Sequence, residues 1–97
     1  MNRLEHLYTI LGEEGVEVAQ RCSKLLRFGA GEIQPGQDLT NTERLRGEVV
    51  DLLAMVRMLA DEGLIEPISD ADLPAMEAKR QKVEKFLKYS RLQGTLT

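Results

Sequence analysis

Apolar residues recur at three- and four-residue steps from the start of the chain. Leu4, Leu7, Tyr8, Leu11, Val18, Cys22, Leu25 and Leu26, with Gly15 in the same column, make one stripe. This is the period of an amphipathic helix, and it predicts one over residues 2–28. "RFGAG" ends it, with Gly29 placed for a left-handed cap. "GEIQPGQD", carrying Pro35 and two glycines, reads as a loop. A second helix over 41–62 starts at "TNTE", where Thr40 and Glu43 have capping-box spacing, and stops at Gly63. Its centre, "VVDLLAMVRMLA", is apolar almost all the way round, with only Asp51 and Arg57 breaking it. Such a helix belongs in the middle of a bundle. After "GLIEPISDAD", a third helix is expected over 73–92, entered through Asp70 or Asp72 and Pro74 and left at Gly94.

These elements predict an all-α fold, an antiparallel helical bundle of three main helices in a single domain over residues 1–97. Three helices of this length, one apolar on every side, leave apolar surface that one chain cannot cover. The expected remedy is homo-oligomerisation, as a homodimer or a dimer of dimers.

Composition narrows the function classes. The 97 residues are 42% hydrophobic and 30% charged, with a formal net charge of -3. No basic excess or basic arm is present, which argues against binding a nucleic-acid polymer or a membrane surface. A phosphate ligand would therefore need local lysines or metal ions. Cys22 is the sole cysteine, so no internal disulfide forms; on the stripe it reads as a buried small hydrophobe. "MNRLEHLYTILGEE" lacks the apolar core of a signal peptide, and no segment has the length and apolarity of a membrane span. The expected address is the cytoplasm.

The chemistry lies in the acids. "GEEGVE" crowds Glu13, Glu14 and Glu17 between and beside two glycines inside the first helix. Glu14 and Glu17 lie one turn apart on the shoulder of the stripe, beside Ile10. In the second helix "EVVD" repeats that spacing with Glu48 and Asp51, directly after Gly47. Their column continues as Leu52, Met55 and Met58, so these acids point where the core should be. Unpaired carboxylates there are costly and raise one another's pKa values. Two facing pairs of hard oxygen ligands, without Cys or His, suit Mg²⁺, with Mn²⁺ able to substitute. Glycine in a helix interior costs about 1 kcal/mol relative to Ala, and three such breaks beside the acids mark the place as functional. Taken alone, "EEGVE" reads as solvated surface charge, with Glu17 paired to Arg21 at i+4. Asp51, inside an apolar run, does not fit that bland reading.

"EEGVE" followed by "EVVD" resembles the EExxE…ExxD signature of the MazG-like, all-α nucleoside triphosphate pyrophosphohydrolases, particularly their short single-domain phage and bacterial forms. The resemblance extends through "EVAQRCSKLLRFG", "PGQDLTNTERL" and "KVEKFLKYSR". It implies a Mg²⁺-dependent hydrolase converting an NTP or dNTP and water to the monophosphate and pyrophosphate. Glu14, Glu17, Glu48 and Asp51 match the metal-binding positions. Glu13 matches the leading glutamate, with the catalytic role of a supporting ligand or water-positioning base. The connection between the motifs is long for the family, and it is expected to contribute to the nucleotide pocket. A phosphoribosyl-ATP pyrophosphatase-like enzyme of the same superfamily is the near alternative. A non-catalytic helical interaction or regulatory module is the alternative from another class.

Lys24, seven residues after Glu17, shares its face and is a candidate phosphate contact. Lys79 lies among Met76, Val83, Phe86 and Ser90, and Lys82 near Tyr89. A lysine within an apolar stripe either snorkels or answers a buried anion, and both are expected on phosphate. Lys85, Lys88 and Arg91 read as solvated, and His6 has no partner in view. Asn41 is read first as a cap of the second helix, with a nucleotide contact as its other role.

Overall fold

The computed structural model describes residues 1–97, and the chain is all-helical, with no strand. Helix α1 spans Arg3–Phe28, α2 spans Asn41–Asp61 and α3 spans Leu73–Leu92, with a 3₁₀ turn at Asp70–Asp72 before α3. The chain divides into two compact units, Met1–Pro67 and Ile68–Thr97.

In the first unit each helix end is fixed by a local device. The Asn2 side chain accepts from the Glu5 N–H at 2.9 Å and caps α1. At the other end the Gly29 N–H donates to the Leu25 carbonyl at 2.9 Å. Gly29 has φ 103° and ψ 144°, so it departs from the expected left-handed cap into a region that essentially only glycine occupies. The capping box of α2 is complete. Thr40 Oγ1 accepts from the Glu43 N–H, and Glu43 Oε1 accepts from the Thr40 N–H, both at 3.1 Å. After α2 the Leu64 N–H reaches the Leu59 carbonyl and the Gly63 N–H reaches that of Ala60, with Gly63 at φ 75°. This is a Schellman ending, and Leu64 completes it by packing on the core.

Helices α1 and α2 run antiparallel. Arg3 bonds Glu62 at one end of the pair, and Asn41 bonds the Gly29 carbonyl at the other. The covered positions of α1 include Leu7, Leu11, Glu14, Val18, Arg21 and Leu25, and those of α2 include Asn41, Leu45, Glu48, Leu52, Met55 and Leu59, with Ile10, Lys24, Arg44, Val56 and Ala60 half-buried at the flanks. Both series alternate steps of four and three, the narrow seam of two helices packed side by side. The seam is dry at one end only, where Leu7, Met55 and Leu59 are buried and Ile10, Leu11 and Leu64 pack on them. Full burial of such a side chain contributes roughly 1.5–3 kcal/mol, so this is a thin core.

The seam corrects two expectations. Cys22 is exposed, because a single neighbouring helix covers only part of the wide stripe and Cys22 lies on its uncovered shoulder. Met58 is 40% exposed, and the column of Glu48 runs through Leu52, Met55 and Leu59 instead. Asn41 is also not a cap. Thr40 has that role, while the buried Asn41 side chain donates to the Gly29 carbonyl at 2.8 Å and to Glu32 Oε1 at 2.9 Å. It pins the long connection to the start of α2.

In the second unit, Ser69 Oγ accepts from the Ala71 N–H and Asp72 Oδ2 from the Ser69 N–H, at 3.2 and 2.9 Å. This starts the 3₁₀ turn, and Pro74 occupies the first turn of α3. Gly94, at φ 81°, closes α3 with a second Schellman pattern, Thr95 to Ser90 and Gly94 to Arg91. No residue of α3 is buried. No helix in the chain is long and apolar enough to cross a membrane.

Candidate metal centre

The two acidic motifs meet across the middle of the seam. Glu14 and Glu17 from α1 and Glu48 from α2 each offer a carboxylate oxygen, and all three oxygens lie within 4.8 Å of one another. Glu14 and Glu48 occupy seam positions and are half-buried, whereas Glu17 stands exposed at the rim. Asp51 does not point into the core as expected: it lies on the edge of α2 next to Glu48, exposed and outside the three-oxygen set, although its charge still acts on both Glu14 and Glu48. Glu13 is exposed beside them and adds its charge to the field at Glu14.

The electrostatics are those of a site short of positive charge. Desolvation raises the Glu14 pKa above its ordinary 4.5, reinforced by the charges of Glu17 and Asp51. The Glu48 pKa is also raised, first by its contact with the Glu17 carboxylate and then by desolvation. Two carboxyl groups in such contact need a shared proton or a cation between them. The ion pairs of the chain, Arg3–Glu62 and Arg80–Glu77, involve none of these acids. Glu14 Oε2 and Glu48 Oε2 are shut away from solvent without a hydrogen-bond partner. Buried polar atoms are ordinarily paired, so two orphaned anionic oxygens in one cluster are a fit for a bound cation. With oxygen donors alone, a hard divalent ion suits them best.

No protein-family model, curated protein or solved structure matches this chain.

The remaining candidates divide between the units. Lys24 is half-buried on α1, one turn beyond Arg21. Lys79 and Lys82 belong to the second unit, where they flank an open groove with Val83, Phe86, Leu87 and Ser90. His6 is exposed. Arg21 is the residue that sequence reasoning left without a functional role. Only the bland reading places it, as a surface partner of Glu17, but it is half-buried in the seam, and its Nη1 is buried without a partner. Its spacing of seven from Glu14, two full turns along one face, is the signal that would have placed it there.

The glycines beside the acids are not demanded by the packing. A Cβ at Gly12, Gly15 or Gly47 would meet nothing within 4 Å, and none of the three has a positive φ. The chain's own fold gives no reason for them.

Proposed function

We propose that this chain is a divalent-cation-dependent nucleoside triphosphate pyrophosphohydrolase, the activity implied by the resemblance of its two motifs to the MazG-like family. One observation carries the reading: carboxylate oxygens from two separate helices gather in a helix seam, with two of them orphaned. A solvated acidic face would turn such groups outward.

In this reading Glu14, Glu17, Glu48 and Asp51 hold Mg²⁺, and Glu13, exposed at the rim, is the carboxylate available to orient a water. The bound ion would neutralise charge on the polyphosphate and lower the pKa of a water. The work of the protein is to fix the acids. The capping box and the Asn41 bonds anchor the start of α2, and the Leu7–Met55–Leu59 core anchors its end. Between these anchors Glu48 is held against α1. Lys24 is the proposed phosphate contact within this unit.

The reading includes self-association. Val49, Val50 and Leu53, on the outer face of α2, are 36%, 47% and 58% exposed, an apolar strip that a second copy would cover.

The test is a panel of canonical and modified nucleoside triphosphates with Mg²⁺, scoring pyrophosphate against orthophosphate. Pyrophosphate and monophosphate should form, and both EDTA and Asp51→Asn should stop the reaction. Undiminished turnover in EDTA would remove the metal, and orthophosphate as the product would remove the pyrophosphohydrolase.

A further inference from the structure

Arg21 occupies a seam position on α1, yet no acid answers it. Its Nη1 is buried without a hydrogen-bond partner, and neither of the chain's two ion pairs includes it. Glu17, four residues earlier, is the obvious local partner, but it is turned to the exposed rim among the other acids. A lysine in that place could lose its proton, but a guanidinium keeps its charge at any ordinary pH. No carboxylate of the chain is within ion-pair distance of this half-buried permanent cation, which leaves it open to an anion from outside the chain.

The register gives that anion its location. With Arg3 held to Glu62 and Gly29 to Asn41, the antiparallel seam brings Arg21 level with the Leu45–Glu48 turn of α2. At 1.5 Å of rise per residue, Arg21 lies roughly 6 Å along α1 from Glu17. The half-buried Lys24 continues the cationic face one turn further. Along one seam the charge thus passes from acids to permanent cation within about the length of a short polyphosphate. Arginine is also the side chain whose planar fork matches phosphate oxygens in pairs.

We infer that Arg21 is an anion-binding residue of this site, taking phosphate oxygens of a polyphosphate whose bound cations the acids hold; the inference rests on the function proposed above. Arg21 is distinct from the acids in what it binds: the ligand, not the cation.

The experiment separates the two. Mn²⁺ binding is followed by electron paramagnetic resonance, and pyrophosphate binding by calorimetry at saturating Mg²⁺, for wild type, Arg21→Met and Arg21→Lys. Arg21→Met should bind Mn²⁺ within twofold of wild type or more tightly, and pyrophosphate at least tenfold more weakly. Arg21→Lys should fall between. Melting of Arg21→Met should be unchanged or higher, because an unanswered cation has left the seam. Pyrophosphate affinity within twofold of wild type would overturn the inference. So would an equal loss of Mn²⁺ and pyrophosphate binding, or failure of Arg21→Met to fold, since either makes Arg21 a structural residue. If wild type binds no Mn²⁺, the proposed function falls. Pyrophosphate binding without metal then decides Arg21, which stands if Arg21→Met weakens it and falls if not.

Discussion

Glu48→Gln offers the most direct reading of the seam, because its effect should reverse sign with the cation. The oxygens of Glu14, Glu17 and Glu48 lie within 4.8 Å of one another, so side-chain adjustment alone would let them hold a cation between them. A ligand that binds only the folded state, at a free concentration of 100 times its Kd, stabilises by about 2.7 kcal/mol. In a domain of 60–100 residues each kcal/mol moves Tm by about 4–8 °C, so saturating Mg²⁺ or Mn²⁺ should raise wild-type Tm by roughly 10–20 °C. Glu48→Gln keeps the shape and removes one of the converging charges. In EDTA it should melt above wild type, because the contact with Glu17 is relieved. With cation its Tm should rise by only a few degrees. Calorimetric melting of both proteins, with EDTA and across a Mg²⁺ titration, is the assay. A wild-type Tm indifferent to millimolar Mg²⁺ and Mn²⁺ would refute the reasoning, as would Glu48→Gln melting below wild type in EDTA.

The pH dependence follows from the same pair. Glu14 and Glu48 have pKa values raised above 4.5, so the folded state binds more protons than the unfolded state. Their contribution to stability is complete below that ordinary value and is lost as pH rises through the folded values. Melting in EDTA should therefore weaken from pH 4.5 toward neutrality, with the trend flattened or reversed in saturating Mg²⁺; a Tm in EDTA that climbs over this range would count against the raised pair. Leu53→Asp probes self-association, because Leu53 is 58% exposed in the single chain. An exposed substitution alters monomer stability by less than about 0.5 kcal/mol, so the variant should fold and sediment at monomer mass while wild type is larger; a wild-type monomer at micromolar concentration defeats the proposal.

What could be read from the chain was decided within a few residues. The Thr40–Glu43 capping box and the glycines at 63 and 94 each fix a helix end through contacts three to five residues apart, and Pro74 falls in the first turn of α3. Sequence spacing contains that information. What failed depended on the width of a buried face. An apolar stripe of period 3.6 is broad enough to include Tyr8, Gly15, Cys22 and Leu26 as well as Leu7, Leu11 and Val18. Packing against one antiparallel neighbour selects the narrower series that steps by four and three, and leaves Cys22 outside. Whether a position lies on the stripe is local, but whether it lies in the seam depends on the partner helix.

The same distinction governs the site. The approach of Glu14, Glu17 and Glu48 was legible because helical spacing put both motifs beside the stripe, whereas the apolar run around Asp51 misled, since Asp51 is exposed and outside the cluster. Arg21 was not legible, because the i+4 rule supplied it with a ready partner in Glu17. That rule assumes a free helix surface. In the seam, Glu17 turns to the rim and Arg21 turns inward, so the pair that would form on an isolated helix does not form here. The broken local rules now stand together: two acids and one arginine orphaned in the seam, and Gly12, Gly15 and Gly47 beside them where any side chain would fit. Each break alone has an ordinary explanation. Their coincidence in the middle of α1 and the first half of α2 does not, since a sequence shaped only for this hairpin would satisfy the charges and replace the glycines. The hairpin ends are locally consistent and its centre is not, and the proposed ligand site would account for that difference.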